Sequence, residues 1–93
     1  MSFSLVVQYE AILDIQEAFI WYEQKKQGLG FSFIEEIESG YQKITTQPLH
    51  YLVVNQRFRR LKVSRFPYLI IYEIEGDTII VNSVRYTGRK PIA

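Results

Sequence analysis

Residues 66–86 read FPYLIIYEIEGDTIIVNSVRY, and this stretch decides the fold. The segment 68–74 is apolar at nearly every position, which is typical of a central strand covered on both faces. The segment 78–86 is rich in β-branched residues and predicts another strand. Because only Glu75-Gly76-Asp77 separates the two segments, we expect them to pair as an antiparallel hairpin.

A further strand is predicted just before this hairpin. Residues 58–66 place Arg60, Lys62 and Ser64 on one side and Leu61, Val63 and Arg65 on the other. Alternation with a period of two indicates a strand with one face towards the core. If the strands at 58–66 and 78–86 flank the central segment 68–74, the two basic clusters at residues 57–65 and around Tyr86 can occupy one face of the sheet.

The N-terminal half predicts one strand and two helices. Residues 3–9 alternate in the manner of a half-buried strand. Two apolar stripes at helical spacing follow: Ile12, Ile15, Phe19 and Tyr22, then Phe33, Ile37, Tyr41 and Ile44. Gly28 and Gly30 mark the reversal between the helices, and the second helix is expected to end before Pro48. Trp21 lies off the first stripe and is expected to be partly exposed.

The predicted fold class is therefore α+β, with the element order β-α-α-β-β-β and a single domain over residues 1–93. An N-terminal strand leads into a helical hairpin, and a three-stranded antiparallel sheet follows. The two helices are expected to pack on one face of this sheet.

The composition excludes several classes of function. The chain has no cysteine, which rules out thiolate nucleophiles, disulfides and sulfur-ligated metals. We expect no metal site and no cofactor, since Gly28-Leu29-Gly30 lacks the lysine and hydroxyl residue of a phosphate loop. The N-terminus does not resemble a signal peptide, and no apolar run approaches the length of a bilayer span. A cytoplasmic protein without a membrane partner is therefore expected.

The two halves of the chain carry opposite charge. Residues 1–50 contain seven acidic and three basic side chains, whereas residues 51–93 contain eight basic and three acidic ones. The overall charge of +1 thus conceals a polarised molecule. Such asymmetry concerns the choice of partners and not the fold, and it favours an anionic or acidic partner for the C-terminal half.

The basic residues form two clusters, one within residues 57–65 and one around Tyr86. Arginine presents a planar fork that matches phosphate or carboxylate, so both clusters are candidates for binding an anion. The predicted partner-binding residues are Arg57, Arg59, Arg60, Lys62, Arg65, Arg85 and Arg89. The alternative is a solvated sheet face whose charges prevent aggregation, with Tyr86 closing the rim of the core.

Six short motifs occur in order along nearly the whole chain. They are Ala11-x-x-Asp14-Ile15, Trp21-Tyr22-Glu23, Leu29-Gly30-x-x-Phe33, Phe58-Arg59-Arg60, Phe66-Pro67-Tyr68-Leu69-Ile70-Ile71-Tyr72 and Val84-Arg85-Tyr86-Thr87-Gly88-Arg89-Lys90-Pro91. Together they resemble the RelE/ParE superfamily of bacterial toxins, from type II toxin–antitoxin and plasmid-stabilisation systems. The resemblance implies a growth-arresting toxin that a cognate antitoxin holds inactive.

Two activities divide the family that the chain resembles. RelE-like members cut messenger RNA on the ribosome, and for that activity the implied catalytic residues are Arg60, Lys62, Arg85 and Tyr86. ParE-like members act on DNA gyrase. RelE-like nucleases usually carry an arginine directly after the tyrosine that corresponds to Tyr68, and this chain has Leu69 there. The extended Phe-Pro-Tyr motif also resembles ParE, so we favour a ParE-like toxin that acts by binding.

The alternatives are a ribosome-dependent mRNA endonuclease and a degenerate module that binds antitoxin without toxicity. The expected partners are a cognate antitoxin and, as target, either DNA gyrase or the ribosome with its mRNA. The expected assembly is a homodimer or a toxin–antitoxin hetero-oligomer.

Overall fold

A computed structural model of the chain describes residues 3–88. The helices are α1, Tyr9–Lys25, and α2, Leu29–Thr46. The strands are β1, Ser4–Val7; β2, Leu52–Val53; β3, Phe58–Lys62; β4, Tyr68–Glu75; and β5, Thr78–Tyr86. The α+β class, the helical hairpin and the antiparallel β4–β5 pair agree with the sequence analysis.

The sheet differs from the predicted three-stranded antiparallel arrangement. It has five strands in the order β1-β5-β4-β3-β2. The N-terminal strand β1 joins it by parallel pairing with β5, from Ser4 opposite Thr78 to Val7 opposite Val81. The short strand β2 adds antiparallel to β3 at the opposite edge. The sheet is therefore mixed, and β4 and β5 lie inside it.

The strand predicted over residues 58–66 ends at Lys62. Arg65 adopts a φ of 70°, in the left-handed region that a non-glycine residue rarely occupies. The chain therefore turns between β3 and β4, and the backbone N–H of Val63 donates to the carbonyl of Tyr68 to close the turn. Arg65 consequently lies outside the strand to which the sequence analysis assigned it.

A carboxylate organises the turn between the two helices. Gly28 has a φ of +88°, which glycine adopts without steric cost. The side chain of Glu23 accepts hydrogen bonds from the backbone N–H groups of Gly28 and Gly30, each at 2.9 Å. Such N–H groups at a helix start have no partner within the helix, and a negative charge there suits the helix dipole. Glu23 therefore acts as the cap of α2.

Both helices pack on one face of the sheet, as predicted, and the core lies between the layers. Its largest fully buried side chains are Phe33, Ile37, Ile44, Val63, Ile70, Tyr72, Ile79 and Val81. On α1 the buried positions are Ala11, Ala18 and Tyr22, whereas Ile12 is exposed, so the predicted stripe on α1 is only partly right. Among the described residues, neither helix combines the length and hydropathy needed to cross a bilayer.

Candidate functional site: the uncovered basic face of the sheet

The face of the sheet that the helices leave uncovered collects cations from its central strands. The register places Lys62 of β3 opposite Leu69 of β4, and Leu69 opposite Arg85 of β5. Opposite residues in neighbouring strands project from the same face, so these three side chains form one row. In the next row Arg60 lies opposite Ile71. We call this surface, formed by Arg60, Lys62, Leu69, Ile71 and Arg85, the basic face.

The cations of the basic face are solvated. Arg60, Lys62 and Arg85 are all exposed, and neither ion pair found within residues 3–88 includes any of them. Most of the acidic side chains lie elsewhere, because all seven of those in the first 50 residues belong to α1 or α2. The structure thus brings together three predicted site residues from two strands, with the helices' acids in the opposite layer.

A buried carboxylate holds a fourth cation at the far end of this surface. Glu73 is 7% exposed, and it accepts hydrogen bonds from Arg57 Nε and Asn82 Nδ2, both at 2.9 Å. Asn82 reaches it because the register between β4 and β5 shifts at Tyr72, which leaves Asn82 as an extra residue in β5. Burial alone would raise the pKa of Glu73, but the hydrogen bonds from Asn82 and Arg57 outweigh it and lower the pKa.

Asn82 is not among the site residues predicted from the sequence. The only sequence signal is a polar residue in the middle of a β-branched run. Its role depends on the bulge, which one sequence does not reveal.

Two of the predicted partner-binding residues that the structure describes, Arg59 and Arg65, do not contribute to the basic face. Arg59 projects from the helix-covered side, where its Nη1 donates to the carbonyl oxygens of Tyr51 at 2.9 Å and Leu49 at 3.3 Å. Arg65 lies in the turn after β3 and pairs with Glu36 of α2 at 3.3 Å. Arg89 lies outside the described residues.

Tyr86 lies on the opposite side of the sheet from Arg85. Its ring packs against Tyr68, with 5.4 Å between the ring centroids, and Tyr68 in turn contacts the core residues Tyr22 and Phe33. Burial, followed by the neighbouring Tyr22, raises the pKa of Tyr68 to about 12. The phenol of Tyr68 therefore stays protonated at neutral pH. Because it packs on Tyr68, the ring of Tyr86 projects from the opposite side of the sheet to the side chains of Arg60 and Lys62.

The arrangement is suited to binding an anion. A phosphate or carboxylate near Lys62 and Arg85 would meet two charged donors. Strand β4, which lies between the strands of these two cations, contributes the apolar side chains of Leu69 and Ile71. The one carboxylate in the adjoining row, Glu73, is engaged by Arg57 and Asn82. Within residues 3–88 no group of three or more potential metal ligands comes together.

Comparison with known proteins extends these observations. No curated protein matches the chain. A solved chain described as "Chromosomal ParDE TA system from P. aeruginosa" has a similar structure, with a TM-score of 0.82 and 13% sequence identity over 92% of this chain and 97% of that one. At this identity the likeness concerns the fold alone.

The sequence itself matches a family model over residues 6–91. This range contains all six motifs, from Ala11 to Pro91, and both helices and almost all of the sheet. The family is described as "ParE toxin of type II toxin-antitoxin system, parDE". The chain therefore belongs to the ParE toxin family of type II toxin–antitoxin systems.

Proposed function

We propose that this toxin inhibits growth by binding DNA gyrase, and that its basic face contacts either the target or an acidic segment of the cognate antitoxin. The observation that supports the proposal is the row Lys62–Leu69–Arg85. It combines two exposed cations with an apolar centre, which suits the capture of a protein surface with acidic and apolar side chains. Polar rims around apolar centres are a general property of protein interfaces.

The same row disfavours RNA cleavage. RelE-like nucleases usually carry an arginine where this chain has Leu69, and the loss of one donor to a transition state costs about 3 kcal/mol. Tyr86, the implied participant in proton transfer, packs on Tyr68 across the sheet from Arg85. The four implied catalytic residues therefore project from two faces of the sheet, which is an argument against their converging on one phosphate.

Inhibition of gyrase is the direct test. Purified toxin without antitoxin is expected to inhibit the supercoiling of relaxed plasmid by gyrase. Lys62→Ala and Arg85→Ala are each expected to raise the inhibitory concentration about tenfold, the scale of one charge-assisted hydrogen bond. Lys43→Ala is the matched control, because Lys43 is an exposed cation on α2. Unchanged supercoiling at every toxin concentration would end the proposal.

A ribosome-dependent mRNA endonuclease is the second candidate, because Arg60, Lys62 and Arg85 share a face on which a phosphate can bind. Primer extension on translated messages distinguishes the two activities. We expect no cuts at the ribosomal A site. Cuts that appear with the wild type and vanish with Arg60→Ala would replace the binding proposal with the nuclease.

A third candidate is a degenerate module that binds antitoxin without toxicity. We expect cytoplasmic expression of the toxin without antitoxin to arrest cell growth. Co-expression of the cognate antitoxin is expected to restore growth. Antitoxin segments of this kind commonly fold as they bind. Normal growth without antitoxin would favour the degenerate module. Light scattering of the toxin alone and with antitoxin would distinguish a homodimer from a hetero-oligomer.

A further inference from the structure

A groove runs along α1 on the helix-covered side of the sheet and reaches the edge of β5 at Arg85. It is lined by Leu13, Asp14, Glu17, Ile20, Trp21 and Tyr86, among others. One part of it has a volume of about 570 Å³ and the other about 720 Å³, and the two adjoin at Glu17 and Tyr86. We call this surface the α1 groove.

The α1 groove exposes large apolar side chains on a helix whose other side already packs in the core. Leu13 is 42% exposed, Ile20 55%, Trp21 54% and Tyr86 52%. Adjacent apolar groups left in water in this way mark interaction sites, since each Å² that a partner covers contributes roughly 25 cal/mol. Helix α1 is therefore apolar on two sides, and only one of them is covered within the described chain.

The charge of the α1 groove is opposite to that of the basic face. Its lining contains the carboxylates of Glu10, Asp14 and Glu17 and one cation, Arg85. Asp14 uses one carboxylate oxygen to accept the backbone N–H of Val84. None of the three carboxylates forms an ion pair within residues 3–88. The groove therefore favours a cationic occupant and disfavours an acidic one.

The aromatic side chains of the groove add a second reason for a cationic occupant. The face of an aromatic ring attracts an ammonium or guanidinium group, and Trp binds such groups best. Lys25 Nζ lies 4.8 Å from the centroid of the Trp21 ring, so this ring already attracts a cation, and an arginine of the occupant would compete with Lys25 for it. Tyr86 is held in place by its packing on Tyr68, which reduces the entropy lost when a ligand contacts it.

We propose that the α1 groove binds a basic amphipathic helix of a partner protein. Its apolar side would cover Leu13 and Ile20, and an arginine or lysine would lie beside Glu17 in the pocket that Trp21 and Tyr86 line. Charge complementarity identifies this occupant, and a helix laid in a groove is a common mode of recognition. Arg85 is the one residue of the basic face that also lines the α1 groove. The proposal does not depend on what the basic face binds, because the residues that would contact the helix, on α1 and at Tyr86, belong to the groove alone.

A pair of synthetic peptides tests the cationic requirement. The first is an amphipathic helix of about 15 residues, near the shortest length stable in water, with leucines on one side and arginines flanking them. The second carries uncharged citrulline at each arginine. Trp21 is the only tryptophan of the chain, so its fluorescence reports binding when the peptides contain none. The arginine peptide is expected to bind about tenfold more tightly than the citrulline peptide.

Variants of the protein locate the binding. Glu17→Gln is expected to weaken the arginine peptide about three- to tenfold and to leave the citrulline peptide nearly unchanged. Tyr86→Leu is expected to weaken the arginine peptide similarly. Glu35→Gln removes an exposed carboxylate of α2 outside the groove and is expected to bind as the wild type does. Circular dichroism checks that each variant is folded. If Tyr86→Leu does not fold, the comparison of Glu17→Gln with the wild type is sufficient to test the proposal.

Several results would overturn the proposal. Equal affinity for the two peptides would show that charge plays no part, and no binding of either would show that the groove does not take a helix. An equal loss in Glu35→Gln would show that the effect is non-specific. Self-association of the toxin that Glu17→Gln abolishes would identify a second copy as the occupant in place of a basic partner.

Discussion

Asp14 Oδ2 lies 2.9 Å from the backbone nitrogen of Val84 and accepts its hydrogen bond, which ties α1 to β5. The need for this bond follows from the length of β1. Strand β1 pairs with β5 only as far as Val81, so the N–H groups of β5 beyond that point have no neighbouring strand on this side. An unpaired N–H in a partly buried position is costly, and Asp14 provides the missing acceptor.

Removal of this acceptor is expected to destabilise the protein. Asp14→Ala leaves the Val84 N–H without its partner, and we expect the free energy of unfolding to fall by about 1–3 kcal/mol. Asp14→Asn retains a side-chain oxygen that can accept the hydrogen bond, so its free energy of unfolding is expected to fall by less. Urea denaturation of the three proteins gives the comparison. If Asp14→Ala were as stable as the wild type, water would have replaced the carboxylate at no cost.

Glu73 gives the protein a pH-dependent contribution to stability. Its pKa in the folded state lies below the ordinary value of 4.5, so the ionised carboxylate stabilises the fold. This stabilisation is complete above the ordinary value and is lost as the pH falls through the lower folded value. We expect Glu73→Gln to cost about 1–2 kcal/mol at pH 7, a modest amount because Arg57 is largely solvated.

Urea denaturation at about pH 7 and about pH 3 measures this contribution. The difference in free energy of unfolding between wild type and Glu73→Gln is expected to be smaller at the lower pH. Glu75→Gln is the control, since Glu75 is an exposed carboxylate of the same strand. A difference that stays the same at both pH values would mean that the charge of Glu73 does not contribute.

Leu69→Arg tests whether the row across the sheet acts as one anion-binding surface. The new cation would lie between Lys62 and Arg85, so a single-stranded RNA would gain one phosphate contact. We expect the slope of log affinity against log salt concentration to become more negative by about 0.7.

Val6→Arg adds the same charge to β1 at the edge of the same face, where Val6 is 51% exposed. A smaller change of slope is expected for it than for Leu69→Arg. Equal slopes for the two variants would contradict the idea of a localised row.

The contact between the two helices depends on a missing side chain at Gly30. A Cβ atom there would lie 2.8 Å from the backbone oxygen of Phe19, which cannot move aside. At Gly40 the nearest atom, 2.7 Å away, is the flexible end of Ile70. We expect Gly30→Ala to cost about 1–3 kcal/mol. Gly40→Ala is expected to cost less, because the end of the Ile70 side chain can move aside and alanine favours a helix interior over glycine by about 1 kcal/mol.

Thermal or urea denaturation ranks the two glycine variants. A larger loss of stability in Gly40→Ala than in Gly30→Ala would mean that α2 is held more tightly against the sheet than against α1.

The parts of the fold that were predictable are those encoded by local pattern. The apolar run at 68–74, the turn at 75–77 and the β-branched run at 78–86 are contiguous, so their pairing required no long-range information. Strand β1 was also recognisable as a strand. Its parallel partner was not, because Ser4 and Thr78 are distant in sequence and alternation identifies a strand without identifying its neighbour.

The site was predictable to the extent that alternation holds. It placed Arg60 and Lys62 on one face, as the register does. The alternation failed for Arg65, because the positive φ of this residue ends the strand pattern. No signal in the sequence predicts a positive φ at an arginine. The α1 groove was not predictable from local pattern, since Trp21 and Tyr86 line one pocket only when the last strand packs beside the first helix. The predicted partial exposure of Trp21 was the one feature of the sequence that pointed to this groove.

The separation of charge between the layers gives the molecule an electric dipole directed across the sheet, with its negative end on the helices. In the field of a strongly charged macromolecule the toxin experiences a torque before any contact forms, and the end of matching sign turns towards the partner. Partners of opposite sign are thus sorted to opposite ends of one small molecule while still in solution. Dissolved salt weakens this orientation beyond a Debye length of about 8 Å, so ionic strength governs the rates of encounter more than the lifetimes of the complexes.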